Sequence, residues 1–382
     1  MALRPYQEEA VGKALAAKHS TVKAATGTGK TVIAISWLQR VNQNSLVIVP
    51  TQALVHQAWA PKLEKYGFED VGEYYAYGKR LGNVTITTFA SAMIHPELIE
   101  NAGAVIVDEI HHLGSRLALQ RILPKLMEKE YVLGLSSVPE RDDKTHEFFL
   151  KEFPICFDLT LAEALESGYV SPIAVREIRA PMSPEEKESY HKMTAMIQHA
   201  FRFCGPNIQK WRNCFDPKTR QYVGRQAMIA MMRRKKLLSS IESKKNAVLE
   251  IINEHPDERI ILFSESVPAI ERIREFLESQ GIRCATYHSR IEPWKRQEIL
   301  SDWGNSYQVL LSCRALEEGL DVKEVAVGVL LASGKSKRQF IQRIGRVIRP
   351  KEGKEAKFYV VFSPETVEET YSPTIARLLS TA

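Results

Sequence analysis

No apolar run in this 382-residue chain approaches the roughly 18 residues needed to cross a bilayer, so no membrane span or membrane partner is expected. The N-terminus, Met1-Ala2-Leu3-Arg4-Pro5-Tyr6-Gln7, has neither the apolar stretch of a secretion signal nor the Arg/Ser-rich character of a transit peptide. An intracellular protein is expected, cytoplasmic in a prokaryote or nuclear in a eukaryote. Cysteine is scarce: Cys156, Cys204, Cys214, Cys284 and Cys313 are an odd number without CxxC spacing. That argues against a disulfide framework and against a zinc or iron–sulfur site, and reduced, mostly buried thiols are expected. Repeats at solenoid or propeller periods and low-complexity tails are absent. Acidic residues are depleted in one place only. Between Arg202 and Lys245 twelve Lys/Arg stand against Asp216 and Glu242, so although the chain carries +6 the remainder is net acidic. The basic charge is localised and suits a polyanion.

The length suits about two domains. Ser45–Pro50, Asn83–Thr87, Ala104–Val107, Tyr131–Leu135, Arg259–Phe263, Gln308–Ser312 and Val325–Leu331 read as buried strands, several followed by helical patterns. Such alternation predicts parallel sheets covered by helices on both faces. Two groups occur, over 1–170 and 245–382. Between them Ser183-Pro184-Glu185-Glu186 has Ser as N-cap, Pro at N1 and acids in the first turn. It starts a helical insertion over about 183–243, interrupted near Gly205-Pro206 and Asp216-Pro217. Ile173–Pro181, just before it, suits a first strand of the second group.

Ala24-Ala25-Thr26-Gly27-Thr28-Gly29-Lys30-Thr31 lies between a short strand-like run and an apolar helix, the context of a phosphate-binding loop. Its glycines let backbone N–H groups face phosphates, Lys30 supplies charge, and Thr31 can ligate Mg²⁺. The strand Ala104–Val107 ends in Asp108-Glu109-Ile110-His111: Asp108 can hold Mg²⁺ and Glu109 can polarise a water. Downstream, Gln342-Arg343-Ile344-Gly345-Arg346-Val347-Ile348-Arg349-Pro350 offers cations for the charge that develops in phosphoryl transfer. Each motif has a plainer reading, as a glycine turn, an acidic strand end or a solvated basic helix. Their order along one chain makes those readings weak.

With Leu3-Arg4-Pro5-Tyr6-Gln7, Val49-Pro50-Thr51, Thr87-Thr88-Phe89, Leu135–Asp143, Leu262-Phe263-Ser264 and Cys313–Val322, the chain resembles superfamily 2 helicases over nearly its whole length. It is most similar to the xeroderma pigmentosum group B family and its archaeal members. That resemblance implies two RecA-like lobes, 1–170 and 171–382, with a helical thumb on the second. It implies an ATPase that translocates on or unwinds DNA in the 3′-to-5′ direction, in repair or transcription-linked duplex opening. By the same resemblance Gln7 and Arg4 bind adenine; Thr26, Gly27, Thr28, Gly29, Lys30 and Thr31 bind phosphates and Mg²⁺; and Asp108 and Glu109 activate water. His111 links the site to the other lobe. Gln342 approaches the γ-phosphate, Arg346 and Arg349 are arginine fingers, and Gly319 and Asp321 touch nucleotide. Thr51, Thr88, Ser264 and Arg314 contact nucleic acid, as does Arg141 of Arg141-Asp142-Asp143, an element associated with strand separation. Arg233-Arg234-Lys235-Lys236 is expected to bind backbone phosphates, and Phe201, Phe203, Trp211, Phe215 and Tyr222 can stack bases or serve as core.

Three competing functions remain: an RNA helicase or remodeller, the motor of a nuclease or restriction complex, and a catalytically silent nucleic-acid scaffold. The expected partners are DNA, single-stranded, forked or duplex, and a nuclease or repair-complex protein. One departure stands out. The third motif reads Ser136-Ser137-Val138 where the family has Ser/Thr-Ala-Thr, so a hydroxyl is missing at Val138, and Ser137 is the expected substitute.

Overall fold

The computed structural model describes residues 3–141, 143–170, 173–218, 222–313, 325–331 and 356–369. Within these, fourteen strands form two sheets. The first contains β1 (His19–Ala24), β2 (Ser45–Val49), β3 (Val71–Tyr74), β4 (Lys79–Arg80), β5 (Val84–Thr88), β6 (Ala104–Asp108), β7 (Tyr131–Ser136) and β8 (Ile155–Leu159). Their order is β4-β3-β5-β2-β6-β7-β1-β8, parallel except for the β3/β4 edge. The second contains β9 (Ile173–Arg179), β10 (Ile260–Ser264), β11 (Cys284–His288), β12 (Val309–Cys313), β13 (Val327–Leu331) and β14 (Ala356–Phe362). Its order is β11-β12-β10-β13-β14-β9, and every pairing is parallel.

Side chains alternate across each strand, and both faces are apolar. Leu46, Ile48, Val105 and Val107 pack on one face of the first sheet, while Val47, Val49, Ile106 and Leu133 pack on the other. In the second sheet Ile260, Leu262, Val327 and Val329 oppose Ile261, Phe263 and Leu330. Hence the strands read as continuous apolar runs. The weakly patterned β3, β4, β8 and β11 are found only in the structure, as is β14, whose apolar run Ala356–Phe362 the sequence reading passed over.

Ser183 caps the Pro184–Cys204 helix as expected: its hydroxyl accepts from the Glu186 N–H at 3.2 Å, and the Glu186 carboxylate accepts from the Ser183 N–H at 2.8 Å. This helix packs against Val223–Leu238 around Ile197, Ala200, Ala227 and Ala230, with a 3-10 turn, Ile208–Asn213, at the far end. At the near end, Lys244 Nζ lies 2.9 and 2.7 Å from the two carboxylate oxygens of Glu368 and donates to the Leu238 carbonyl at 2.7 Å. That buried pair ties the insertion to the segment after β14.

The expectation of reduced cysteines is corrected in one place. Cys204 and Cys214 form a disulfide, with Cα atoms 5.9 Å apart. The chain doubles back between the end of one helix and the 3-10 turn, a proximity that linear spacing does not reveal. Cys156 and Cys284 are free thiols.

Candidate active site

The order β6-β7-β1 brings three carboxyl-terminal strand ends side by side. In a parallel α/β sheet this edge is where ligands bind. The loop after β1 needs left-handed backbone at Gly27 (φ 91°) and Gly29 (φ 86°). A Cβ on Gly29 would also lie 2.7 Å from Gln7 Nε2. Lys30 Nζ turns back onto the Ala24 carbonyl at 3.0 Å. The Pro5–Ala17 helix is fastened to this loop: Gln7 Nε2 donates to the Thr28 carbonyl at 3.2 Å, Gln7 Oε1 accepts from the Arg4 N–H at 3.0 Å, and the Tyr6 hydroxyl donates to the Thr28 carbonyl. Arg4 Nη1 donates to the Tyr169 carbonyl at 3.0 Å, and the Tyr6 and Tyr169 rings lie 4.2 Å apart. Tyr169 had no local sequence signal.

At the end of β6, Asp108 Oδ2 accepts from the Trp59 indole N–H at 2.8 Å, and Oδ1 accepts from the Glu109 N–H at 3.0 Å. Trp59 is fully buried and closes a π-helical turn, Val55–Trp59; such widened turns recur at functional sites. Sequence reading missed it. Glu109 is held at φ 49°, ψ 59°, a left-handed conformation costly for a side-chain-bearing residue. Burial, together with the charge of Glu109, pushes the Asp108 carboxyl up. Burial pushes Glu109 the same way, but its hydrogen bond to His111 and the charges of His111, Lys30 and His112 outweigh that and hold it low. Two adjacent carboxylates are thereby given opposite proton affinities.

The Ser136 hydroxyl donates to Glu109 Oε2 at 3.3 Å and accepts from the Val138 N–H at 3.2 Å. His111 Nδ1 lies 3.3 Å from Ser136 Oγ and 3.4 Å from Glu109 Oε2, so this ring nitrogen serves the first sheet's own edge. Ser137, the expected substitute for the missing hydroxyl, is buried with no hydrogen-bond partner among the described residues. The Ser136 hydroxyl bonds within the first sheet's own edge. Arg141 grips the Asp143 carboxylate at 3.0 and 2.8 Å and donates to the His111 carbonyl at 3.0 Å. Its guanidinium is thus tied to the acidic motif.

The nucleic-acid candidates divide. Thr51 and Thr88 are helix N-caps, and the side chains of Thr88 and Ser264 are buried, so those two hydroxyls offer no open surface. Arg233 and Lys236 are exposed. Arg234 instead lies over the Tyr190 ring and donates to Thr194, and Lys235 pairs with Glu265 at 2.6 Å. Trp211 is fully buried, which removes it from the base-stacking candidates. Arg314, Gly319, Asp321, Gln342, Arg346 and Arg349 lie outside the described residues.

Residues 243–351 match the helicase conserved C-terminal domain, and residues 1–141 match the family described as type III restriction enzyme, res subunit. The chain is 28% identical to the DNA 3'-5' translocase XPB2 of Sulfurisphaera tokodaii, over 96% of this chain and 82% of that protein. It is 27% identical to the putative DNA 3'-5' helicase Rad25 of Halobacterium salinarum, over 99% of this chain and 57% of that protein. It is 23% identical to the general transcription and DNA repair factor IIH helicase/translocase subunit XPB of Danio rerio, over 99% and 47%. The chain therefore spans about half the length of several curated relatives it matches. Among the described residues no helix is long and apolar enough to cross a membrane.

Proposed function

This chain belongs to the XPB family of superfamily 2 helicases, and from that premise we propose that it is an ATP-driven DNA motor moving 3′ to 5′. The observation that carries the reading is Glu109. Its backbone is held left-handed at the end of β6, its carboxylate is fixed by Ser136 and His111, and it stands two strands from the phosphate loop. ATP places its base beside Arg4, Gln7, Tyr6 and Tyr169 and its phosphates in the loop Thr26–Thr31. Lys30 neutralises phosphate charge. The hard oxygen donors of Thr31 and Asp108 fit Mg²⁺, and the upward push on Asp108 is of the kind a bound cation reverses. When bound, that ion adds charge neutralisation at the phosphates.

Glu109 accepts a proton from the water that attacks the γ-phosphorus; the bond to the bridging oxygen breaks and ADP leaves. Its depressed proton affinity keeps it ionised at neutral pH. Gln342 approaches the γ-phosphate and Arg346 and Arg349 supply the opposing cations, with Gly319 and Asp321 beside the nucleotide. Lobes 1–170 and 171–382 close on ATP and reopen after hydrolysis, and the insertion over about 183–243 serves as a thumb through Arg233 and Lys236. Thr51, Arg141 and Arg314 complete the track. A repair-complex or nuclease partner agrees with the named relatives and the restriction-type match.

The deciding experiment is ATP turnover with single-stranded DNA, duplex DNA, forks and RNA, with Lys30→Ala as the inactive control. Stimulation by DNA is expected. Stimulation by RNA alone replaces the substrate, and turnover unchanged by any nucleic acid overturns the motor reading.

A further inference from the structure

The outer end of the insertion has an anchored base and an open aromatic surface. The base is the Cys204–Cys214 disulfide together with Trp211, which is fully buried and donates from Nε1 to the Gly205 carbonyl at 2.9 Å. Gly224 presses on it from the second helix: a Cβ there would fall 2.0 Å from the Trp211 carbonyl oxygen. On this base the Phe215 and Tyr222 rings stand 5.0 Å apart, each more than 40% exposed. The Arg225 guanidinium lies 4.1 Å over the Tyr222 ring and is fixed by a 2.9 Å hydrogen bond from Nε to the Arg212 carbonyl.

Two neighbouring exposed rings on a rigid base offer a flat apolar surface that a ligand can cover. Charge identifies the occupant. Arg202, Lys210, Arg212, Lys218 and Arg225 lie in the same stretch of chain and are exposed, with Arg225 over the Tyr222 ring, whereas the one acidic residue between 199 and 225 is Asp216. A ligand with flat π faces strung on an anionic backbone satisfies both features. Bases in an intact duplex have both faces stacked, so the ligand must offer unpaired bases.

We propose that the Phe215–Tyr222–Arg225 cluster is a stacking platform for unpaired nucleobases. The proposal rests on the DNA-motor reading and divides the insertion's work in two. Its basic helix holds phosphates, and its tip holds bases released at a junction.

The test uses the full chain with three probes: single-stranded DNA, duplex DNA, and a fork carrying 2-aminopurine in one arm. Phe215→Ala/Tyr222→Ala is expected to lose about 5- to 150-fold in affinity for the single strand and the fork per base unstacked. Duplex affinity and the slope of affinity against salt should be unchanged, because no phosphate contact is removed. The 2-aminopurine signal should respond to wild type and not to the variant. Phe215→Trp/Tyr222→Phe, which keeps two π faces, should restore binding. Persistence of the disulfide in the variants, read as two cysteines shielded from alkylation until reduction, together with an unchanged melting temperature, separates lost stacking from lost folding. Equal loss on duplex and single strand would make the tip a phosphate grip, and no loss at all would leave the rings to a protein partner; either result overturns the platform but not the motor. If wild type binds no nucleic acid, both readings fall.

Discussion

Glu109 and Asp108 show how one side chain's surroundings decide its chemistry. Glu109→Gln keeps the shape and the phosphate loop, so nucleotide binding should persist while turnover falls by about 10²-fold or more. Wild-type turnover would remove Glu109 as the base. Trp59 is less obvious. Trp59→Phe deletes the N–H aimed at Asp108 and shrinks a fully buried side chain; loss of such a supporting hydrogen bond costs about 10- to 100-fold in metal affinity or activity. The expected outcome is a higher Mg²⁺ requirement for both nucleotide binding and turnover, alongside a lower melting temperature from the lost packing. An unaltered Mg²⁺ dependence would reduce the indole to packing. At Val138 the backbone N–H donates to Ser136, while the Ser137 hydroxyl finds no partner among the described residues. The missing hydroxyl is therefore not replaced from the next position, and weak coupling of hydrolysis to strand separation is expected. Val138→Thr should raise the base pairs opened per ATP on a fork; long processive unwinding by wild type contradicts the idea.

The Val223–Leu238 helix carries four consecutive cations, yet helical geometry gives them different surroundings. Arg233 and Lys236 face solvent, whereas Arg234 is packed on Tyr190 and Thr194 of the neighbouring helix and Lys235 is paired with Glu265. Arg233→Ala/Lys236→Ala should weaken DNA binding and reduce the salt slope by about 1.4 to 1.8, the release of two counterions. Arg234→Ala should instead lower the melting temperature and leave the slope nearly intact. Identical slopes in both variants would return the whole run to the solvated surface.

For the molecule as a whole, the proposed motor needs cations from the second half of the chain. Arg346→Ala is expected to lower ATP turnover by about 10³-fold with little change in ATP affinity, because such a charge acts mainly in the transition state. A change confined to KM would show a ground-state contact instead. The sequence by itself determined the two parallel sheets, the phosphate loop, the acidic strand end and the Ser183 helix start. Each of those signals sits within a few consecutive residues, where backbone conformation and side-chain chemistry are both local. It also placed the end of the first helix after Ser183 near Gly205 and a break before the Val223–Leu238 helix. Tertiary structure alone decided the rest, because the partners are remote in sequence: Trp59 and Asp108 are 49 residues apart, and Arg4 and Tyr169 are 165 apart. The Cys204–Cys214 pair is nearer, but its spacing carries no metal or redox pattern, and only the chain's reversal brings the two thiols together. The same holds for the burial of Trp211 and the packing of Arg234 on Tyr190, since composition places aromatics and cations on a segment while packing decides which of them meet solvent.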